Sequence, residues 1–219
     1  MKLGVFGGTF NPIHYGHLRA AEEAREALSL DRVLFVPAGN PPLKSGDIAD
    51  SGKRYRMVEM AISGNPFFEV LDIECSREGK SFTVDTLEEL QGRHPGSELY
   101  FILGTDAFLD IPNWWMPERL VALTHFVLLA RPGTKFSDLP SSPYLADGRA
   151  MIDGIDGVSG HAEVLLTSGK KAVFLPVTPL AVSSTEIRRR LRTGLSVKYL
   201  LPEQVESFII SNKLYRSDE

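Results

Sequence analysis

The chain has 219 residues, of which 43% are hydrophobic and 24% charged, the usual balance of a globular protein with a sizeable core. The formal net charge is −4, so no overall basic field attracts nucleic acid. No apolar run approaches the roughly 18 residues that a membrane span needs, and the first apolar stretch is too short for a signal peptide. The single cysteine, Cys75, allows neither an internal disulfide nor a cysteine-based zinc site. We therefore expect a cytoplasmic protein.

Strands and helices alternate over the first 130 residues. Apolar β-rich segments predict the strands, and apolar residues at a spacing of about 3.6 predict the helices. In chain order we expect strands at residues 2–6, 32–36, 67–73, 99–103 and 126–130, and helices at residues 17–30, 53–63, 81–93 and 118–123. Residues 37–53 are rich in Pro, Gly, Asp and Ser and predict a long loop of the kind that often binds ligands.

The second half of the chain has a looser pattern. Residues 134–169 are rich in Gly, Ser, Asp and Pro, which predicts an insertion or an extended loop. A last strand at 172–175 and two helices at 184–192 and 203–212 follow. Repeated strand–helix–strand units imply a mostly parallel sheet with right-handed crossovers. We therefore predict one domain over residues 1–219 with an α/β, Rossmann-like sheet flanked by helices and a helical C-terminal portion.

The first segment with chemical potential is GGTFNPIHYGH, residues 7–17, directly after the first strand. Gly7 and Gly8 let the backbone turn sharply, and the start of the next helix offers unpaired N–H groups to an anion. His14 and His17 can donate hydrogen bonds to phosphate oxygens. The spacing matches neither the dinucleotide fingerprint nor a P-loop, and two histidines without a third ligand are a weak metal site. The segment therefore predicts a nucleotide-phosphate loop.

A second segment, SSTEIR at residues 183–188, opens a predicted helix. Ser183, Ser184 and Thr185 are good capping residues. Cations at a helix N-terminus oppose the helix dipole, so the arginines at 188–190 make more sense beside a polyphosphate. For Arg189 and Arg190 a solvated basic face remains an equal alternative.

Together these segments resemble the two motifs of the H-x-G-H nucleotidyltransferases, here carried by His14-Tyr15-Gly16-His17 and by residues 183–188. Outside residues 134–169, nearly the whole chain is similar to the bacterial nicotinate-nucleotide adenylyltransferase family. The further matching pieces are PPLK (41–44), SFTVDTL (81–87), GTD (104–106), PNWW (112–115), RPG (131–133), LLP (200–202) and LYR (214–216).

The resemblance implies roles for individual residues. Catalytic roles fall to His14, His17 and Arg188. The ATP-binding residues would be Gly7, Gly8, Thr9, Phe10, His17, Gly104, Asp106, Ser183, Ser184, Thr185 and Arg188. The nicotinate nucleotide would contact Lys44, Thr83, Trp114 and Trp115. Mg²⁺ would arrive bound to ATP, without a metal site of the protein's own.

The expected reaction is adenylyl transfer from ATP to nicotinate mononucleotide, which gives nicotinate adenine dinucleotide and pyrophosphate in NAD biosynthesis. The partners would be these two nucleotides, with no nucleic acid and no membrane, and a homo-oligomer is left open. Two alternatives stand beside this hypothesis: the same chemistry with nicotinamide mononucleotide, and a non-catalytic nucleotide sensor. The sequence departs from the family at Leu43, where histidine is common, and in the length of residues 134–169.

Overall fold

The computed structural model describes residues 1–40, 48–130, 139, 142–146 and 161–216 of the chain. The described strands are β1 (Lys2–Gly8), β2 (Arg32–Pro37), β3 (Phe68–Val70), β4 (Glu98–Gly104), β5 (His125–Ala130), β6 (Ala162–Leu165) and β7 (Lys171–Pro176). They form a sheet in the order β3-β2-β1-β4-β5-β7-β6. The pairs β1–β4, β4–β5 and β5–β7 are parallel, and β6 runs antiparallel to β7. The predicted α/β fold with a mostly parallel sheet is confirmed.

The described helices are α1 (Tyr15–Leu28), α2 (Ser51–Ile62), α3 (Thr83–Arg93), α4 (Thr105–Leu109), α5 (Pro117–Leu123), α6 (Ser184–Arg192) and α7 (Glu203–Ser211), with a 3₁₀ turn at Ile111–Asn113. Most bounds lie within two residues of the prediction. Helix α1 ends at Leu28 because Ser29 adopts a left-handed backbone, with φ of 52°. No helix in the described ranges is long and apolar enough to cross a membrane.

Three local predictions need correction. Strand β3 has only three residues where seven were predicted. Helix α4 was not predicted at all, because five residues are too few to show helical periodicity. Strand β6 lies inside residues 134–169, which were predicted to be an insertion or an extended loop. Its residues alternate in burial, and cross-strand pairing with β7 decides its conformation.

The chain divides into two compact units, and the expectation of a single domain stays a prediction. The first unit comprises Met1–Gly7, Ala20–Val33 and Phe82–Pro179. Its β1, β4, β5 and β7 are nearly all apolar and buried in their centres, as parallel strands covered on both faces require. The register pairs Phe6 with Ile102, so Gly7 and Gly104 lie at the same carboxyl edge of this sheet.

The second unit comprises Gly8–Arg19, Leu34–Ser81 and Leu180–Glu219. Its core includes an aromatic cluster in which the Phe35 ring lies 5.8 Å from that of Phe10 and 5.1 Å from that of Phe68. Helices α2, α6 and α7 add Met57, Val58, Ile187, Val205 and Ile209, all nearly inaccessible to solvent. This core supports the segment that follows β1.

Candidate active site

The predicted phosphate loop turns on Phe10, whose backbone is left-handed with φ of 45° and whose ring is 2% exposed. A Cβ at Gly8 would lie 3.1 Å from the Phe10 ring, so glycine is needed where the two meet. The ring also meets His17 edge-on, with 5.2 Å between the ring centroids. Phe10 therefore shapes the loop from the core side, and its position favours a structural role over direct contact with ATP.

His14 and His17 form the centre of the site. Their rings stack with 3.8 Å between the centroids and 29° between the planes. His14 is buried, whereas His17 is half-buried. The backbone N–H of His14 donates to Nδ1 of His17 over 3.3 Å. Because Nδ1 accepts this bond, the neutral His17 ring carries its proton on Nε2, which is a hydrogen-bond donor.

The same histidine pair sits at the start of α1. The carbonyl of His14 accepts the first bonds of the helix, from the N–H groups of His17 (3.0 Å) and Leu18 (3.3 Å). The first turn holds no acidic residue that would offset the positive end of the helix dipole. Gly16 lies against the His14 ring, and a Cβ there would come within 3.1 Å of the ring and of Val182. The sequence therefore needs glycine between the two histidines.

Asn11 links this loop to the rest of its unit. Its side-chain oxygen accepts hydrogen bonds from the Tyr215 hydroxyl (2.6 Å) and from the Ala49 backbone N–H (3.0 Å). Asn11 and Tyr215 are both buried. The C-terminal Leu-Tyr-Arg segment that matched the family thus has a structural reason: its tyrosine holds the phosphate loop.

Helix α6 contacts the loop through two side chains. The Arg188 guanidinium donates through Nη1 to the Asn11 carbonyl at 2.7 Å, and the Ser184 hydroxyl donates to the Pro12 carbonyl at 2.9 Å. The Nε atom of Arg188 is buried and has no hydrogen-bond partner among the described residues. The two predicted motifs are therefore brought together, with one guanidinium directed at the turn before the histidines.

The remaining polar groups of α6 have local partners. The Ser183 side chain caps the helix by accepting from the Glu186 N–H at 3.2 Å. Glu186 in turn binds Arg189 at 2.7 Å and lies 3.6 Å from Arg190. These exposed ion pairs favour the solvated basic face for both arginines, which leaves Arg188 as the arginine of the site. Thr185 is exposed, and its hydroxyl oxygen lies 3.5 Å from Nη2 of Arg188.

The residues predicted to hold the nicotinate ring lie in the first unit. Thr83 is the first residue of α3, whose N-cap Phe82 offers no capping side chain. The Phe82 ring lies 5.4 Å from that of Trp115, which is 55% exposed. Thr83 therefore directly follows a residue whose ring contacts Trp115. Trp114 differs from its neighbour, because its indole N–H donates to Asp110 at 3.1 Å.

Gly104, Thr105 and Asp106 also belong to the first unit. Gly104 ends β4 and precedes α4, and Asp106 is exposed in the first turn of that helix. The hydroxyl of Thr105 is buried without a hydrogen-bond partner among the described residues. At the same edge, a Cβ on Gly7 would lie 3.3 Å from the Phe101 ring. Their positions at the carboxyl ends of neighbouring parallel strands are typical of ligand sites in α/β sheets.

Lys44 and Leu43 lie outside the described residues, as does the Arg131-Pro132-Gly133 segment that resembles the family.

Cys75 donates from its Sγ to the Pro37 carbonyl at 3.4 Å, and burial raises the pKa of this thiol, so it is a poor nucleophile.

Sequence alone did not reveal the contacts of Asn11 and Phe82. Asn11 was visible within the first motif, and Phe82 precedes a predicted helix start, but neither identity signals its partner.

Comparisons with known proteins show the family and the fold of this chain. A family model described as cytidylyltransferase-like matches residues 5–190. A relative from Syntrophotalea carbinolica, named "Probable nicotinate-nucleotide adenylyltransferase", is 45% identical over 100% of this chain and 99% of its own length. One from Geobacter metallireducens with the same name is 40% identical over the full length of both chains. The structure of Plasmodium falciparum nicotinic acid mononucleotide adenylyltransferase complexed with NaAD shares the fold, with a TM-score of 0.75, 21% identity and coverage of 98% and 97% of the two chains.

Proposed function

This chain belongs to the nicotinate-nucleotide adenylyltransferases of the cytidylyltransferase-like family, and on that premise we propose that it transfers the adenylyl group of ATP to nicotinate mononucleotide. The products are nicotinate adenine dinucleotide and pyrophosphate, in a step of NAD biosynthesis. The observation that supports this most directly is the stacked His14–His17 pair at the start of α1, with Arg188 bound to the preceding turn. Cytoplasmic location and self-association stay predictions.

Catalysis of this reaction depends on positioning and charge stabilisation more than on proton transfer. An oxygen of the acceptor's phosphate attacks the α-phosphorus of ATP, and the bond from that phosphorus to the bridging oxygen breaks as pyrophosphate leaves. The attacking phosphate is already ionised near neutral pH, so a strong general base is not needed. Catalysis then rests on aligning the two phosphates and stabilising the charge on the transferring group.

His17 is suited to that stabilising role. Its Nδ1 is occupied by the His14 N–H, so its Nε2–H can donate to an oxygen of the α-phosphate. His14 keeps the imidazole plane in place by stacking against it. The uncompensated N-terminus of α1 adds a positive potential at the same point.

Arg188 and Mg²⁺ would balance the charge of the triphosphate. Arg188, in the second turn of α6, uses one terminal nitrogen on the Asn11 carbonyl, and the rest of its guanidinium is suited to phosphate oxygens. Within the described residues, no group of three or more His, Cys, Asp or Glu side chains could hold a metal ion. Oxygens of ATP and water are ligands that Mg²⁺ prefers, so we propose that Mg²⁺ is carried by the nucleotide and neutralises part of its charge.

The acceptor's pyridine ring would meet Trp115. An exposed indole offers a flat face to an aromatic ring, with an added cation–π attraction when that ring is cationic. Thr83 supplies a hydroxyl donor, and the first backbone N–H groups of α3 are not capped by Phe82. Such donors suit a carboxylate better than an amide, which supports nicotinate over nicotinamide.

The first test measures pyrophosphate release from ATP and Mg²⁺ with nicotinate mononucleotide as acceptor. We expect the His17→Ala variant to lose roughly 10²–10³-fold in kcat, as removal of one charge-stabilising donor does elsewhere. His161→Ala is the matched control, since His161 is exposed and lies outside the site. A His17→Ala variant with near-normal turnover would remove His17 from the mechanism.

The second test compares acceptors. A higher kcat/KM for nicotinate than for nicotinamide mononucleotide supports the proposed substrate, and the reverse order would reassign it. ATP binding without pyrophosphate release from either acceptor would instead indicate the sensor.

A further inference from the structure

Arg54 is the most deeply buried charged side chain among the described residues, at 1% exposure. It lies in the first turn of α2, yet its guanidinium forms no ion pair with any of the described residues. Each of its three nitrogens donates instead to a backbone carbonyl at 2.8 Å: Nε to Ala49, Nη1 to Thr9 and Nη2 to Gly39. Surface arginines do not usually adopt such an arrangement, and a buried guanidinium needs this many acceptors to offset its lost hydration.

The three carbonyls come from separate parts of the chain. Thr9 belongs to the phosphate loop, five residues before His14. Gly39 and Ala49 stand at the two ends of the loop that follows β2. One planar group thus holds both ends of that loop and joins them to the phosphate loop.

Two neighbouring contacts reinforce these bonds. The Ala38 N–H donates to the Gly8 carbonyl at 2.8 Å, and the Ala49 N–H donates to the Asn11 side chain at 3.0 Å. A Cβ on Gly39 would come within 1.9 Å of the Glu74 carbonyl, so the backbone at Gly39 has little room to shift.

We infer that Arg54 is a positioning residue for adenylyl transfer, which sets the phosphate loop and the ends of the loop after β2 in the geometry that His14 and His17 need. The inference rests on the proposed function and deepens it, since no role in catalysis or binding has been given to Arg54. Lysine could not replace it, because three carbonyls in three directions match the spread nitrogens of a guanidinium and not a single ammonium. Burial lowers the pKa of Arg54, but a guanidinium stays protonated in proteins.

The side chain of Arg54 adjoins an open cavity in the second unit. The cavity has a volume of about 860 Å³ and is also lined by Asp50, Lys53, Cys75 and Tyr215. A small cation added to the solvent can therefore reach the space that the guanidinium vacates in a truncated variant.

The experiment compares Arg54→Ala and Arg54→Lys with Arg56→Ala. Arg56 lies on the same helix but is exposed and pairs only with Glu59 in the described contacts, so it is a matched control. We expect kcat/KM of both Arg54 variants to fall roughly 10²-fold, mainly through kcat, because a misplaced site costs about that much. Arg56→Ala should stay within about threefold of the wild type, as surface substitutions do.

Chemical rescue separates positioning from a merely structural role. Guanidinium at millimolar concentration should restore much of the lost kcat in Arg54→Ala, and the same concentration of ammonium or sodium should not. Arg54→Lys should not respond, because its side chain fills the space. If Arg54 only stabilises the fold, its loss would lower the fraction of active protein and leave KM and the pH profile unchanged. Guanidinium would then give no rescue, and that pattern would overturn the inference.

A second measurement is independent of the reaction. Hydrogen exchange of the Ala38 and Ala49 amides should accelerate at least tenfold in folded Arg54→Ala and stay unchanged in Arg56→Ala, because the bonds beside the lost guanidinium loosen. Unchanged exchange at both amides would overturn the inference even where the wild type is inactive. An inactive wild type with accelerated exchange would overturn the proposed function and leave Arg54 as the positioning residue of this loop.

Discussion

Replacement of Gly16 by alanine tests whether the geometry of the histidine pair controls catalysis. The added Cβ would lie 3.1 Å from Cε1 and from Nδ1 of His14, and 3.1 Å from Cγ1 of Val182. His14 cannot simply move away, because it is buried and stacks on His17 at 3.8 Å. The methyl group must therefore displace the His14 ring and, through it, His17.

Two opposing terms set the effect on stability. Alanine is favoured over glycine in a helix by about 0.5–1 kcal/mol. Extra volume in a packed region costs about 1–3 kcal/mol, so the tight contacts outweigh the helix preference. The net loss is about 1 kcal/mol, which lowers Tm by about 2–4 °C in a protein of this size. The loss in kcat/KM should be far larger, roughly 10²-fold, since the site is displaced and not merely destabilised.

The assay is pyrophosphate release with ATP and nicotinate mononucleotide, measured beside thermal unfolding. Gly92→Ala is the matched control, because Gly92 lies in helix α3 with nothing within 4 Å of its added Cβ. That variant should keep full activity and gain about 0.5 kcal/mol of stability. If Gly16→Ala keeps kcat/KM within about threefold of the wild type, the stacked pair is not the rate-determining geometry, contrary to the argument from its contacts.

Two further outcomes are expected. Trp115→Ala should raise KM for the acceptor roughly tenfold and leave KM for ATP unchanged, because an aromatic stacking pair contributes about 0.5–1.5 kcal/mol beyond its area burial. Equal changes in KM for both substrates would exclude a stacking role. The free energy of unfolding should fall as pH rises from 10 to 12. Burial, with a smaller contribution from the Glu98 charge, raises the pKa of Tyr100 from 10.0 in the unfolded chain to about 12 in the folded protein. The neutral phenol therefore stabilises the fold fully below pH 10, and its contribution, about 2.7 kcal/mol at most, is lost as pH rises through 12. The decline should be smaller by that contribution in Tyr100→Phe when unfolding is measured by denaturant at each pH.

The sequence predicted most of the sheet and helices because their patterns are local. Helix α6 was predicted with its observed bounds, since Ser183 marks its start and its apolar residues Ile187 and Leu191 lie four residues apart, at helical spacing. The buried parallel strands were found for the same reason, as runs of β-branched and aromatic residues. Strand β6 escaped prediction because its four residues depend on pairing with β7 and lie in a polar stretch.

The site was predicted in part for a related reason. His14 and His17, whose roles stay predictions, were singled out because their residue type and their place at a helix start point to phosphate chemistry, and Arg188 because its segment resembles the second motif of the family. The sequence could not show that Arg188 binds the Asn11 carbonyl, because the two residues are far apart in the chain. Arg54 was invisible for the same reason: nothing in its neighbours distinguishes a buried guanidinium from the exposed one at Arg56.

The arginine cluster of α6 shows how charge arguments from sequence need the structure. Arginines near a helix N-terminus oppose the dipole, and this predicted a compensating polyphosphate. In the structure Arg189 and Arg190 lie in the last turn of α6, where the dipole favours cations, and Glu186 lies within ion-pair distance of both on the exposed face. Of these three arginines only Arg188 lies outside the last turn, and its nearest acceptor is a neutral carbonyl of the predicted phosphate loop and not a carboxylate. A guanidinium whose charge is not offset by a carboxylate can offset the charge of a phosphate.

Most bonds that hold the proposed catalytic groups in place end on main-chain atoms. The His14 N–H orients His17, the Asn11 carbonyl binds Arg188, and the Pro12 carbonyl binds Ser184. Main-chain acceptors and donors persist whatever the side chain, so the site depends on the path of the backbone more than on the identity of every loop residue. That path requires a particular residue at a few positions, among them glycine at 16 for space and Asn11 for its two accepted hydrogen bonds. Substitutions at the exposed Tyr15 should therefore matter less to turnover than those at its neighbour Gly16.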